Sequence, residues 1–250
     1  MNNNLIQYIF GIADNSLILG QRLGELCGHG PSIETDIALT NISLDLFGQT
    51  RSYFQYVAKL QGGDTNEDTV AFLRLEREYK NVLLVEQPNT DFGYSIARQF
   101  LFDVFHLALL EELQNSKDEM LAAIAKKSIK EASYHLSFSS EWVIRLGDGT
   151  EESHQKMQTA LDHLISYFDE LFIPEQYETY CSDHNIYPES KDISYKATAK
   201  FYDIIKEATL VIPEKYFSKK GGKAGLHTEH LGFILADMQF MQRAYPKLSW

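Results

Sequence analysis

The stretch Glu119–Leu146, EMLAAIAKKSIKEASYHLSFSSEWVIRL, decides the fold class. Alternating steps of three and four pass through Leu121, Ile124, Ser128, Glu131, His135, Phe138 and Trp142, the spacing of a helical seam facing other helices. Gly147-Asp148-Gly149 ends that helix. Thr150 followed by Glu151 and Glu152 then opens another, because a hydroxyl cap and negative charge both favour a helix N-terminus.

Working outward, Tyr94–Leu113 carries Ile96, Phe100, Leu107 and Leu110 on one stripe. Leu5–Leu26 repeats Ile9, Ile12, Ser16, Leu19, Leu23 and Leu26 at helical steps and stops at Gly28-His29-Gly30-Pro31. Ser32 or Thr35 caps a long helix reaching about Leu60, which Gly62-Gly63-Asp64 breaks. A shorter, charged helix is expected around Asp68–Asn81, with a turn at Gln87-Pro88-Asn89. Downstream, Met157, Leu161, Leu164, Phe168 and Leu171 keep the period. Past Pro174 the pattern fades until helices near Ile193–Glu207 and Thr228–Ala244. The sequence shows no internal repeat or low-complexity tract, and this pattern predicts an all-α helix bundle.

With 250 residues, 44% of them hydrophobic, the chain can bury one sizeable core, and residues 1–250 are expected to form a single domain. The net charge of -12, from 35 acidic against 23 basic residues, disfavours nucleic acid and anionic membrane surfaces as partners. The apolar run Phe100–Leu110 is interrupted by Asp103 and His106, so no segment spans a bilayer. Met1-Asn2-Asn3-Asn4 does not read as a secretory signal. Cys27 and Cys181 lie outside any paired spacing and read as reduced thiols of a cytoplasmic protein.

Carboxylates on stripes that should be buried are the informative feature. Asp103 lies between Phe100 and Leu107, and Glu131 between Ile124 and Phe138. Asp45 shares a stripe with Ile37, Asn41, Leu44 and Gly48, and Asp14 sits in the first helix. A buried, unpaired carboxylate costs several kcal/mol, so such acids demand a cation, a metal or shared protons. In ferritin-like di-iron proteins two helices each give one carboxylate and two others each give Glu-x-x-His. The order here matches that plan with losses. Asp14 and Asp103 would be the lone acids, and Asp45-x-x-Gly48 and Glu131-x-x-Tyr134 the altered pairs without histidine. The expected fold is therefore a ferritin-like four-helix bundle core with additional peripheral helices. A competing arrangement uses Asp103-x-x-His106 and Glu131-x-x-x-His135, which place acid and imidazole one turn apart; the plain alternative is that both histidines are packed core groups. The acids are expected to share hydrogen bonds with Tyr134, His135 or a basic side chain, and burial should raise at least one carboxylate pKa.

Several further segments carry a family likeness: LILGQRLGELCGH at Leu17–His29, DIAL at Asp36–Leu39, LDLFGQ at Leu44–Gln49, LLVEQPN at Leu83–Asn89, IARQ at Ile96–Gln99, YHL at Tyr134–Leu136, RLGDGT at Arg145–Thr150 and GLHTEHLG at Gly225–Gly232. Together these resemble the structural C component of the bacterial phenylacetyl-CoA epoxygenase, over nearly the whole chain except a loose match at Pro174–Lys191. The resemblance implies a non-catalytic subunit that pairs with a homologous ferritin-like catalytic subunit, other complex subunits and a reductase. The partner would hold the di-iron centre and insert one oxygen atom from O₂ into the aromatic ring, with electrons from NADPH through an FAD and iron–sulfur reductase. No cofactor or metal is then expected in this chain, and self-association of the chain alone stays open. A self-sufficient di-metal carboxylate oxygenase or oxidase is the alternative.

Two smaller signals are weighed. Ser218–Lys223, SKKGGK, is a basic glycine-bearing cluster without P-loop context, expected to be a solvated flexible loop rather than a phosphate site. His227, Glu229 and His230 are metal-ligand types that do not share one helix face, and are expected at a surface or interface.

Overall fold

The computed structural model describes residues 2–245. Met1 and residues 246–250, which the N-terminal and single-domain readings include, lie outside the described residues.

Among the described residues every regular element is helical. Four long helices build the core: α1 (Asn2–Gly24), α2 (Ile33–Gln61), α4 (Phe92–Leu113) and α5 (Glu119–Gly147). A short α3 (Glu67–Phe72) follows α2, and α6 (Glu151–Leu164), α7 (Gln176–Asp183), α8 (Ser190–Glu207) and α9 (Glu229–Ala244) are peripheral. α1 packs along α2 and α4 along α5, and the contact of α2 with α5 joins the two pairs. α6 and α8 cover α4, α7 lies on α1, and α9 on α3. This is a ferritin-like four-helix core with added peripheral helices.

The helix starts follow from local chemistry. Asp118 Oδ1 accepts from the amides of Met120 at 3.1 Å and Leu121 at 3.0 Å, Asp91 Oδ1 from Tyr94 at 2.8 Å, and Thr150 Oγ1 from Ser153 at 3.2 Å. Each satisfies an amide that has no partner inside its helix. Ser32, rather than Thr35, caps α2. Gly62 closes it with a φ of 71°, a conformation glycine adopts at no steric cost.

The apolar interior is one contiguous cluster. α4 is buried on nearly every side, as its apolar character all round requires once α5, α6 and α8 surround it. Among the described residues no helix is long and apolar enough to cross a membrane.

Two expectations are corrected here. The helix expected over Asp68–Asn81 stops at Phe72 and resumes only as a single 3₁₀ turn, Glu76–Glu78. Arg74 and Tyr79 both turn inward there, which a continuous amphipathic helix with Glu76, Arg77 and Glu78 outside does not permit. The region past Pro174 also holds a helix, Gln176–Asp183, whose mixed polar pattern gives no apolar stripe because it buries little beyond Glu178 and Cys181.

Candidate functional site

Three helices carry polar side chains into the bundle. α2 supplies Asp45 and Gln49, α4 supplies Gln99, Asp103 and His106, and α5 supplies Glu131, His135 and Ser139. Within each helix these residues are three or four apart and therefore share a face.

The groups close on one another. His135 Nε2 lies 3.1 Å from Asp45 Oδ2. His106 Nε2 lies 2.8 Å from Gln49 Oε1, and Gln49 Nε2 donates to Glu131 Oε2 at 3.0 Å. An amide oxygen only accepts, so His106 carries a proton on Nε2. Deeper in the core, Gln99 Nε2 donates to Asp103 Oδ1 and Ser139 Oγ donates to Asp103 Oδ2, both at 2.7 Å.

Burial sets the protonation states. It pushes the Asp103 carboxyl up to about 8, against the partial opposition of the Ser139 and Gln99 hydrogen bonds. At neutral pH this carboxyl is chiefly protonated. A proton on Oδ2 then points to Ser139 Oγ, whose hydroxyl has the Leu136 carbonyl at 3.4 Å as its alternative acceptor. Burial, with a smaller contribution from His135, lowers His106 to about 3, so that ring is neutral. His135 is lowered as well, because burial outweighs the hydrogen bond to Asp45 and the charges of Asp45 and Glu131. The His135 Nδ1 and Gln99 Oε1 atoms are buried without a hydrogen-bond partner.

The expected ligand positions do not converge. Asp14 is fully buried, but Arg74 grips both its oxygens, at 2.5 and 2.9 Å, and the Lys80 amide donates to it at 2.8 Å. It fastens α1 to the segment after α3. Asp45 and Glu131, expected inside, are half-buried at the edge of the α2–α5 seam. Gly48 is exposed, and a Cβ placed there would meet nothing within 4 Å. Tyr134 is 50% exposed. The step of three from an acid at the seam's edge leads outward, whereas the step of four leads inward to Gln49 and His135. Ile37 and Leu44, expected on the buried stripe with Asp45, are 55% and 61% exposed. The buried seam of α2 instead runs through Leu39, Ile42, Leu46, Gln49 and Tyr53. On α5, likewise, Ser128, Ala132, His135, Ser139 and Val143 are inside, while Phe138 and Trp142 flank them.

An iron pair needs free carboxylate oxygens converging with imidazole nitrogens. The donor set here does not fit one: Asp14 faces arginine, Asp103 faces an amide and a hydroxyl, and Glu131 faces an amide. Among the described residues no group of three His, Cys, Asp or Glu side chains is placed to hold a metal ion. Gln49, Gln99 and Ser139 are not among the residues that the sequence marks as candidates for chemistry, although each stands four residues from Asp45, Asp103 or His135.

The smaller signals differ from expectation in part: Ser218, Lys219, Lys220 and Glu229 are exposed as expected, and His230 is half-buried. The SKKGGK segment is packed rather than solvated at its second half, with Gly222 and Lys223 buried. Its glycine amides, Gly221 at 2.7 Å and Gly222 at 2.8 Å, donate to Glu170 Oε1, so the cradle already holds a carboxylate of the chain itself. The His227 ring is buried against Glu86 rather than displayed at a surface.

Fold and interior together define a ferritin-like helical protein whose bundle centre is filled by side chains bonded to each other. The chain belongs to the family described as phenylacetic acid catabolic protein, which it matches over residues 1–250. It is 48% identical over 248 residues to the C component of the 1,2-phenylacetyl-CoA epoxidase of Escherichia coli (strain K12), a match covering 99% of this chain and 100% of the relative. The resemblance read from the sequence is thus borne out.

Proposed function

We propose that this chain is a non-catalytic structural subunit of a cytoplasmic 1,2-phenylacetyl-CoA epoxidase complex, pairing with a homologous ferritin-like subunit that carries the di-iron centre. The observation that carries the reading is the interior itself: amide, hydroxyl and guanidinium donors occupy the carboxylates that an iron pair would need. A centre whose side chains are hydrogen-bonded to each other gives a rigid bundle without a redox group. Such a bundle supports a partner's reactive site by covering helix faces that would otherwise be mobile or wet. In this reading the epoxidation, the iron and the electron supply from NADPH through an FAD and iron–sulfur reductase all lie in other chains.

The docking surface in this reading is the outer α2–α5 face. Ile37, Leu44 and Tyr134 stand exposed there, with half-buried Phe138 beside Tyr134 at 6.3 Å between ring centroids. Size-exclusion chromatography of the chain mixed with its iron-bearing partner tests the pairing, and a single co-eluting species at micromolar concentration is expected. Iron analysis of the purified chain tests the other half. Two irons per chain with the absorption of an oxo-bridged pair would instead make it a self-sufficient di-metal oxygenase, with His106 and His135 as ligands.

A further inference from the structure

A hollow of about 660 Å³ opens between α8, the 3₁₀ turns Ile165–Tyr167 and Asp169–Phe172, and residues 212–220. That volume lies within the roughly 300–1,000 Å³ of sites that take small molecules. Its floor is aromatic and packed in advance. Phe168 and Phe201 are buried with ring centroids 4.9 Å apart, and Phe172 meets Phe168 edge to face at 5.2 Å and 82°. Phe172 also meets Phe105 at 5.8 Å and 79°, so its ring is held from behind. Tyr202 and Tyr216 stand at the mouth, both exposed.

Charge adds direction to this box. The charged side chains lining it are Asp169 and Lys220. Asp169 Oδ1 already accepts from the Tyr216 hydroxyl at 3.1 Å. Lys220 has no ion pair among the described residues, and its backbone is fixed on both sides. The Lys219 amide donates to the Ser166 carbonyl at 2.7 Å, and the Gly221 amide to Glu170 at 2.7 Å. An unpaired lysine whose backbone is held at the wall of an aromatic hollow leaves its ammonium free to meet an anion bound there.

We propose that this hollow binds a small aromatic carboxylic acid as the free acid, its ring among Phe168, Phe172 and Phe201 and its carboxylate on Lys220. A planar ring gains the same edge-to-face contacts that the floor already uses, which an aliphatic chain does not. A carboxylate gains a charge-assisted bond, which a neutral thioester does not. The choice of phenylacetate as the particular acid rests on the epoxidase-complex reading. It is the substrate of whatever acid–thiol ligation must supply a phenylacetyl thioester, so the site would report on that precursor from outside the iron-bearing subunit.

Calorimetric titration of the full chain alone with phenylacetate, 2-phenylethanol, cyclohexylacetate and phenylacetyl-CoA tests the proposal. Phenylacetate should bind at least about tenfold more tightly than each of the other three, the difference expected for one hydrogen bond to a charged group or for loss of the ring contacts. Lys220→Gln, at an exposed position, should lose about tenfold for phenylacetate and leave 2-phenylethanol unchanged. Equal affinity for the acid and the alcohol, no heat with phenylacetate at about ten millimolar, or full affinity in Lys220→Gln would each overturn it. Phenylacetyl-CoA binding more tightly than the acid would also overturn it, and would assign the hollow to the thioester. Because no partner is present, failure here leaves the pairing reading standing, and failure of co-elution leaves this result intact.

Discussion

His227 faces Glu86 across a fully buried contact, with Nδ1 2.6 Å from Glu86 Oε1 and Nε2 3.0 Å from the Tyr79 carbonyl. With Glu86 and the Tyr79 carbonyl both accepting, each ring nitrogen carries a hydrogen and the imidazole is held as the cation. The second Glu86 oxygen accepts from the Thr228 amide at 2.9 Å and hydroxyl at 2.6 Å. This knot ties the start of α9 to the segment before α4.

A pH dependence follows from that knot. Burial alone would lower the His227 pKa, but the Glu86 hydrogen bond and charge, together with the Tyr79 carbonyl, hold it above its ordinary value. A histidine with a raised folded-state pKa contributes stability that is complete below the unfolded pKa, about 6.5, and that is lost as pH rises through the folded value. Urea unfolding of wild type should therefore lose this contribution on the alkaline side. His227→Gln should cost about 3 kcal/mol at pH 6, the scale of a broken buried pair, and less at pH 9. An equal loss at both pH values would show that the ring is neutral.

Asp103 gives the opposite lesson in carboxylate chemistry. Its folded pKa of about 8 lies above the unfolded value of about 3.9, so the folded state holds the proton more tightly. Stability from this group is complete below pH 4 and falls between pH 4 and 8, on the order of 1.4 kcal/mol per pH unit. Asp103→Asn keeps the shape, with an oxygen to accept from Gln99 and an amide to donate to Ser139. It should flatten that part of the profile and leave the variant more stable than wild type at pH 7.5. Denaturation midpoints at pH 5 and 7.5 for both proteins decide the matter, and parallel profiles would count against a protonated Asp103.

These two groups show how far the sequence can be read. Asp103 is legible as a buried acid because its helix is apolar all round, so any polar residue there stands out. His227 is not, since its partner lies 141 residues away and no local pattern announces a contact of that separation. The long helices are legible from their period and caps. The inward face of α2 is misjudged because Ile37, Leu44 and Gly48 form an apolar stripe as regular as the buried one, and period alone does not say which stripe faces the core. The same ambiguity displaces Tyr134, where the step of three and the step of four from Glu131 end on opposite sides of the seam.

Arg74 is the second point at which a distant ion pair organises the chain. Its guanidinium holds Asp14 with two hydrogen bonds and lies over the Tyr79 ring at 4.1 Å and the Phe10 ring at 4.3 Å. Arg74→Met keeps much of the apolar packing but strands a buried carboxylate. It should destabilise the fold by about 3–5 kcal/mol at pH 7, as measured by urea unfolding. Adding Asp14→Asn should recover part of that loss, because the stranded charge is then gone. A double variant no more stable than Arg74→Met would place the cost in packing rather than in charge.

The exposed stripe of α2 yields the prediction that bears on partnership. Leu44 is 61% exposed and lies outside the buried seam that holds the bundle together, so Leu44→Glu should change the chain's own stability by less than about 0.5 kcal/mol. If the α2–α5 face docks on the iron-bearing subunit, the same substitution places an unpaired charge in an apolar contact. It should then weaken association by about 2 kcal/mol, or roughly 30-fold. Calorimetry of the mixed subunits measures the second quantity and urea unfolding of the chain alone the first. A variant of normal stability and normal affinity would move the docking surface elsewhere, with the exposed Phe233 and Phe240 on α9 as the next face to substitute.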